Sequence, residues 1–182
     1  IKAGGHCLDC GANKGSKYQA LKKMTNIEPS AYFGIEWNEK AVLDAQKNNM
    51  NIVQGDLNIG IQFPDNSFRC VFGLSVLEHL LNPCHFLKQC HRVLEDSGRL
   101  VILTPNISTY FTAALILLGK MPSSGPHPDS EQLLKKEEIF KISDISLEPD
   151  PEEDNPVHRH LIVFSYRVLI SYMKAIGFKD VA

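Results

Sequence analysis

The stretch Gly5-His6-Cys7-Leu8-Asp9-Cys10-Gly11-Ala12-Asn13-Lys14-Gly15 decides the fold of this chain. A short, mostly apolar run from His6 to Cys10 stops at Gly11, and a helical pattern follows from Ser16 to Met24, which predicts a strand, a tight turn and a helix. Asn13 suits the turn because asparagine, after glycine, most readily enters left-handed backbone conformations. In an α/β sheet, such a turn is where a nucleotide-like ligand binds.

A second run, Ala31-Tyr32-Phe33-Gly34-Ile35-Glu36, predicts the second strand and ends in a carboxylate. In a βαβ unit, Glu36 would lie beside the first turn, where it can accept hydrogen bonds from both hydroxyls of a ribose. The turn has Asn13 where a dinucleotide fingerprint has glycine, and it lacks a third glycine, so a pyrophosphate cradle is not evident. Asp9, before the turn, adds a negative charge that suits a cationic ligand.

The remaining chain continues the alternation of helices and strands. The predicted elements are a helix capped by Asn38 that runs to about Asn48, a strand over Asn51 to Val53, a strand over Cys70 to Leu74, a helix from Pro83 to Glu95, a strand over Arg99 to Thr104, a helix over Phe164 to Ile176 and the start of a strand at Gly177. Together they predict an α/β fold, namely a Rossmann-like, doubly wound, mostly parallel sheet in three α/β/α layers, with its last strand missing.

These motifs resemble the class I S-adenosylmethionine-dependent methyltransferases, whose first motif runs roughly hydrophobic-Asp-x-Gly-x-Gly-x-Gly. Residues 7–15 match that motif, with Asn13 in place of the middle glycine. The stretches Phe63 to Phe68, Val76 to Leu80 and Arg92 to Asn106 look like the small-molecule branch, methyltransferase type 11, and two short stretches are weakly similar to the MetW-like group. The resemblance covers nearly the whole chain and implies S-adenosylmethionine as the cofactor.

The resemblance also implies a set of site residues. Asp56 and Leu57 follow the third strand, where such enzymes hold the adenine, although Gly-Asp is also common in ordinary turns. His79 is the candidate general base because histidine titrates near neutrality, and Glu78 would orient it or bind a substrate amine. An equally weighted alternative is that one of this pair only packs against the next helix. The predicted cofactor-binding residues are Asp9, Gly11, Asn13, Gly15, Glu36, Trp37, Asp56, Leu57 and Ser75.

We expect a single methyltransferase domain over residues 1–182, with an insertion at about 106–160. The α/β alternation lapses there, apart from an apolar helical stretch from Tyr110 to Leu118. A segment after the fifth strand lies over the carboxyl ends of the strands, so the insertion is predicted to be a lid that selects the substrate. For its acidic part, from Glu148 to Pro156, a disordered connection is the favoured alternative.

Composition and charge restrict the partners and the compartment. The chain is 43% hydrophobic and 22% charged, with a formal net charge of −2, which disfavours nucleic acid and favours a small-molecule acceptor while leaving a protein acceptor open. Five cysteines without a disulfide framework indicate a reducing compartment, and a cytoplasmic protein is expected. Cys7 and Cys10 are interpreted as core residues, and no apolar run reaches the ~20 residues of a membrane span.

No metal site is predicted, because His85 and His91 lack the spacing that places two ligands on one helix face. His158 and His160 could return to the cleft from the insertion, although a salt-bridged loop is the commoner arrangement.

The sequence therefore predicts an enzyme of class EC 2.1.1.- that transfers a methyl group to an oxygen, nitrogen, sulfur or carbon atom of an unidentified acceptor. One alternative is a methyltransferase-like binding or regulatory module without turnover, which Asn13 and the missing strand keep open. A less favoured alternative is an NAD(P)-dependent oxidoreductase, against which stand the missing third glycine and a Tyr18-x-x-x-Lys22 pair that falls in the first helix. The sequence does not fix the oligomeric state.

Overall fold

The computed structural model of the protein describes residues 5–120 and 160–182. Strands and helices alternate along the first of these ranges, apart from two successive strands over Asn51–Gln54 and Phe68–Leu74, and the second range contains a further helix. Single turns of 3-10 helix cover Pro29–Ala31 and Leu77–His79. The strands and α-helices are β1 (Cys7–Cys10), α1 (Ser16–Thr25), β2 (Tyr32–Glu36), α2 (Glu39–Lys47), β3 (Asn51–Gln54), β4 (Phe68–Leu74), α3 (Pro83–Val93), β5 (Leu94–Leu103), α4 (Tyr110–Leu117) and α5 (Tyr166–Ile176).

The five strands form one parallel sheet in the order β3-β2-β1-β4-β5. The first strand lies in the middle, with Cys7 opposite both Tyr32 of β2 and Cys70 of β4. The order of connection reverses between β1 and β4, so a crevice opens there at the carboxyl ends of the strands. The predicted Rossmann-like fold is confirmed.

Alternate residues of β1 belong to different layers because successive side chains of a strand point to opposite faces of the sheet. Leu8 and Cys10 belong to the core that packs against α3 and α5. Cys7 belongs to a second core, shared with α1 and α2. The helices therefore cover both faces, and the predicted three-layer arrangement is confirmed.

Helix α3 buries the face that its apolar spacing predicts, since Phe86, Leu87, Cys90, Val93 and Leu94 recur at helical spacing and are expected to face the sheet. Phe86, Leu87, Cys90 and Val93 are fully buried against the sheet, and Pro83 opens the helix at a position where a missing N–H costs nothing. The predicted core face of this helix is confirmed. None of the helices in the described ranges has the length and hydropathy that crossing a membrane requires.

The boundary between α3 and β5 differs from the prediction. Helix α3 ends at Val93, two residues before the predicted Glu95, and β5 begins at Leu94 instead of Arg99. The cause is an irregular register between β4 and β5, in which Leu94 already pairs with Phe68 before the regular pairing resumes at Arg99. Local hydrophobic spacing does not reveal such long-range pairing.

The predicted strand at Gly177 is wrong, since the structure has no strand over residues 177–182. Gly177 (φ 120°) ends α5, and the ring of Phe178 packs edge-on against His91 of α3, with 4.9 Å between centroids. Phe178 therefore packs on helix α3, and residues 177–182 do not join the sheet.

The sequence places Val168, Leu169, Tyr172, Met173 and Ile176 on one apolar face of helix α5, and only part of that face is buried. Leu169, Met173 and Ile176 pack against the core, whereas Val168 and Tyr172 are 47% and 45% exposed. In the predicted insertion, the apolar helix is present as α4. The Pro-, Gly- and Ser-rich stretch over residues 122–128 and the acidic part from Glu148 to Pro156 lie outside the described residues.

Substitution Gly34→Ala should destabilise the fold by about 1–3 kcal/mol, because the added Cβ would lie 2.5 Å from Cβ of Ala12 in the first turn. Gly73→Ala is the matched control in β4, since its Cβ would meet no atom closer than 3.5 Å. Urea unfolding of both variants measures the difference. Equal stability of the two variants would show that the contact between β2 and the turn is not tight.

Candidate functional site

The turn after β1 has the left-handed backbone that its sequence predicts. Gly11 (φ 74°), Asn13 (φ 47°) and Gly15 (φ 79°) all have positive φ angles. The backbone N–H groups of Gly11 and Ala12 donate to the carbonyl oxygen of Ile35, at 2.9 and 3.0 Å. A side chain at Gly11 would also clash, since its Cβ would lie 2.7 Å from Cγ2 of Val76. Asn13 is therefore accommodated without loss of the turn.

Glu36 lies at the carboxyl end of β2, beside that turn, and is 7% exposed. Its Oε2 accepts from the backbone N–H of Asn13 and its Oε1 from that of Asn38, both at 2.9 Å. A carboxylate oxygen accepts more than one hydrogen bond. Two adjacent acceptors thus lie at the mouth of the turn, a pair that suits the two hydroxyls that a ribose donates.

Asp9 is fully buried, and both of its oxygens have protein partners. Oδ2 accepts from the hydroxyl of Tyr32 at 2.6 Å, and Oδ1 accepts from Nζ of Lys17 at 3.2 Å. Nζ of Lys17 also donates to the carbonyl oxygen of Gly11 at 2.7 Å. Burial raises the pKa of Asp9 to about 6, and Lys17 and Tyr32 oppose that rise. The Asp9 carboxylate thus connects α1 and β2 to the turn through Lys17 and Tyr32. The sequence had predicted instead that its negative charge would suit a cationic ligand.

The third strand brings Asp56 and Leu57 to the same edge of the sheet. The backbone N–H of Gly55 donates to the carbonyl oxygen of Glu36 at 2.9 Å. Asp56 is exposed, and its Oδ1 accepts from the backbone and side-chain nitrogens of Asn58, at 2.8 and 3.0 Å. Leu57 is buried in the core. The turn predicted as the alternative for Asp56 is therefore present, and its role in binding stays a prediction.

Trp37 and Ser75 lie next to the ends of β2 and β4. Trp37 directly follows Glu36 and is 59% exposed, so its ring is accessible beside the carboxylate. Ser75 (φ 55°) is exposed, and its N–H donates to the carbonyl oxygen of Leu103 at 2.9 Å. Both positions border the crevice, and their roles in binding stay predictions.

Glu78 and His79 lie in the short helix after β4. Val76, just before this helix, lies against Gly11 of the turn after β1. Glu78 is 1% exposed, and its Oε2 accepts from Oγ1 of Thr104 at 2.9 Å. The ring of His79 lies edge-on to that of His160, with 5.3 Å between centroids. His160 is thus placed beside His79, while His158 lies outside the described residues.

Cys10 directly precedes Gly11 of the turn, but it and the other buried cysteines belong to the core. All five cysteines are free. Contact with Cys70 and burial raise the pKa of Cys7, and contact with Cys90 and burial raise that of Cys10, so these thiols stay protonated in the core as interpreted from the sequence. On α3, Nε2 of His85 lies 3.0 Å from the carbonyl oxygen of Ile59, and His91 packs against Phe178.

A parallel sheet with a left-handed turn after β1 and a carboxylate after β2 is found in many nucleotide-binding proteins, so this geometry alone does not fix the family. A family model described as a methyltransferase domain matches residues 8–102, just over half of the chain. The chain belongs to this methyltransferase family. The predicted membership of the class I S-adenosylmethionine-dependent methyltransferases is therefore confirmed.

Relatives and solved structures agree with this family. A probable S-adenosylmethionine-dependent methyltransferase of Mycobacterium tuberculosis is 31% identical over 77 residues, which cover 42% of this chain and 28% of the relative. A similarly named protein of Mycolicibacterium smegmatis is 27% identical over 110 residues, covering 59% of this chain and 41% of the relative. This chain therefore spans less than half the length of these curated relatives.

Two solved structures match nearly the whole chain in fold. One, from Thermotoga maritima, is described as an S-adenosylmethionine-dependent methyltransferase, possible histamine N-methyltransferase; it has a TM-score of 0.61 at 17% identity, with 99% of this chain and 67% of that chain covered. The other, an S-adenosylmethionine-dependent methyltransferase from Archaeoglobus fulgidus, has a TM-score of 0.60 at 19% identity, with 98% and 63% covered. At these identities the likeness shows the fold alone.

Substitution Lys17→Met should destabilise the protein by about 1–3 kcal/mol at pH 8 and by less at pH 5. Below the raised pKa of about 6, Asp9 is largely protonated and needs no cation, whereas above it the buried charge would lose its partner. Lys14→Met is the matched control, because Nζ of Lys14 lies 4.0 Å from Oδ2 of Asp44 in an ion pair between two partly exposed side chains. Urea unfolding at both pH values measures the effect, and an equal loss at pH 5 and pH 8 would contradict the role given to Lys17.

Proposed function

We propose that this chain binds S-adenosylmethionine and transfers its methyl group to a small-molecule acceptor. The observation that carries the proposal is the pair of Glu36 oxygens held beside the left-handed turn, at the crevice of a chain that belongs to a methyltransferase family. The relatives named as S-adenosylmethionine-dependent methyltransferases support the choice of cofactor. Because the chain spans only part of those relatives, the proposal concerns this domain.

Each predicted binding residue would have a separate task. The Glu36 carboxylate would accept from both ribose hydroxyls, and the turn of Gly11, Asn13 and Gly15 leaves backbone space for the cofactor to approach. Trp37 would cover one side of the adenosine, and Asp56 and Leu57 would meet the adenine. The Asp9 carboxylate, engaged by Lys17 and Tyr32, would keep the turn in place.

Bound S-adenosylmethionine supplies a methyl group that an acceptor atom attacks in line with the breaking carbon–sulfur bond, whose electrons stay on sulfur. The protein mainly has to position the two partners and exclude water. His79 would take the proton that a hydroxyl or thiol acceptor loses, and Glu78, held by Thr104, would position that end of the crevice.

The alternatives lead to different outcomes. A binding module without turnover would bind the cofactor and transfer no methyl group. An oxidoreductase is disfavoured by the family and by the predicted Tyr18/Lys22 pair, since Tyr18 is 4% exposed in the second core and its hydroxyl points to the carbonyl oxygen of Ile27, at 3.5 Å.

Calorimetric titration of the purified chain with S-adenosylmethionine and S-adenosylhomocysteine should give micromolar affinity, and Glu36→Gln should weaken it about 10-fold or more. The amide can serve only one of the two backbone N–H groups and loses the charge that strengthens the ribose bonds. Glu39→Gln is the matched control, an exposed acid in the first turn of α2.

Urea unfolding of both variants separates lost binding from lost folding. Equal cofactor affinity of Glu36→Gln and the unchanged chain would contradict the proposal, as would quenching of NADH fluorescence without binding of S-adenosylhomocysteine.

His79→Gln should lower methyl transfer about 100-fold or more while leaving affinity for S-adenosylhomocysteine unchanged. The assay follows labelled methyl groups from S-adenosylmethionine into a fractionated pool of small metabolites, with a protein extract as a second acceptor pool. His85→Gln is the control, since Nε2 of His85 lies 3.0 Å from the carbonyl oxygen of Ile59 and its ring is not part of the His79 and His160 pair. Full transfer by His79→Gln would remove the general-base role, and label in the protein fraction alone would contradict a small-molecule acceptor.

A further inference from the structure

We propose that Glu78, His79 and His160 bind one divalent transition-metal ion of the kind that Zn²⁺ and Co²⁺ represent. Each of the three side chains offers one ligand atom, and these atoms lie within 4.8 Å of one another. The site lies at the carboxyl end of β4, on the acceptor side of the crevice. Its existence does not depend on the cofactor, whereas its use in methyl transfer rests on the proposed function.

The donor set fits such an ion. Two imidazoles and one carboxylate are the ligands of many catalytic zinc and non-haem iron sites, which keep further positions open for water or substrate. Bonds of about 2.0–2.2 Å hold ligand atoms roughly 3–4 Å apart, so side chains whose donors already lie within 4.8 Å need to close by at most roughly 2 Å.

The backbone holds the two parts of the site together. The N–H groups of Leu161 and Ile162 donate to the carbonyl oxygen of Glu78, at 2.8 and 3.2 Å. The N–H of Ile107 donates to the carbonyl oxygen of Phe164 at 3.1 Å, so the strand-like segment after His160 is also fastened to the chain beyond β5. His160 is therefore placed by hydrogen bonds to two neighbouring segments.

The charge of Glu78 gives a second, independent reason. Its side chain is 1% exposed, and in the described part of the chain its carboxylate receives one hydrogen bond, from Thr104, and no ion pair. A buried carboxylate is costly without a compensating positive charge. A metal ion would supply that charge, and Thr104 would orient the carboxylate as an outer partner.

Sequence reasoning misses this site because it searches for ligands at short spacing. Glu78 and His79 are adjacent, but the third ligand, His160, comes from the far end of the predicted insertion. His85 and His91, the two histidines of α3, contact Ile59 and Phe178 and are not metal ligands in this arrangement.

The position of the site restricts the acceptor. A metal ion held here would keep open positions for an oxygen-bearing acceptor and would lower the pKa of the acceptor's hydroxyl, whose proton would pass to water before the oxygen attacks the methyl carbon. With the ion bound, His79 would be a ligand and water the base; without the ion, His79 would take the proton itself. Hydroxylated or carboxylated small molecules are therefore the acceptors expected at this site.

The test is a titration of the metal-stripped full chain with Co²⁺, followed by its visible absorption, and then displacement by Zn²⁺ in calorimetry. We expect one ion per chain. His160→Ala and Glu78→Gln should each weaken binding about 10-fold or more, since losing even an outer partner of a metal site costs that much. His85→Ala is the matched control and should bind as the unchanged chain does.

Absence of Co²⁺ and Zn²⁺ binding at millimolar metal, or equal binding by His160→Ala and His85→Ala, would overturn the proposal. Each variant is also titrated with S-adenosylhomocysteine without metal. Retained affinity there shows that the variant is folded, and it keeps failure of the metal site distinct from failure of the cofactor proposal.

Discussion

The carboxylate of Glu36 fixes the geometry on which the cofactor side of the crevice depends. It accepts one backbone N–H from the turn after β1 and another from the start of α2, so it holds two chain segments at the end of β2. Buried backbone N–H groups need acceptors, and a charged acceptor forms the stronger bond. The same two oxygens are the acceptors proposed for the ribose of the cofactor. Under that proposal, one side chain would meet both the structural and the binding demand.

A second carboxylate in the same turn has a different environment and a different task. Asp9 is fully buried and is neutralised by Lys17 and hydrogen-bonded by Tyr32, whereas Glu36 lies at the edge of the crevice. Both acids are buried, and they differ in their partners: Lys17 and Tyr32 for Asp9, and backbone N–H groups for Glu36. Lys17, in the first turn of α1, connects that helix to both the acid and the turn.

Regular patterns of side chains could be predicted from the sequence because they repeat locally. The buried face of α3, the left-handed Asn13 and the placement of Glu36 at the end of β2 all follow from spacing within one or two elements. The early start of β5 could not be predicted, since it depends on pairing between Leu94 and Phe68 across the sheet. The strand predicted at Gly177 was wrong for the same reason: Phe178, whose residue type suits a strand, packs against His91 of α3 instead.

The site residues divide in the same way. Glycines and acids beside the first turn belong to a recognisable local motif, whereas the contact of Tyr32 with Asp9 joins side chains that no local pattern links. His160 could be suspected only from its residue type. Its proximity to His79 becomes evident only in the folded structure.

The two hydrogen bonds from Leu161 and Ile162 to the carbonyl oxygen of Glu78 also bear on how the molecule opens. The cofactor side is assembled from one continuous stretch, β1 to β3, whereas the acceptor side closes a loop that includes β5 and α4. Closing a long loop costs conformational entropy that the short turns of the cofactor side avoid. We expect the acceptor side to form last in folding and to exchange its amide hydrogens first, as a cooperative unit smaller than the domain.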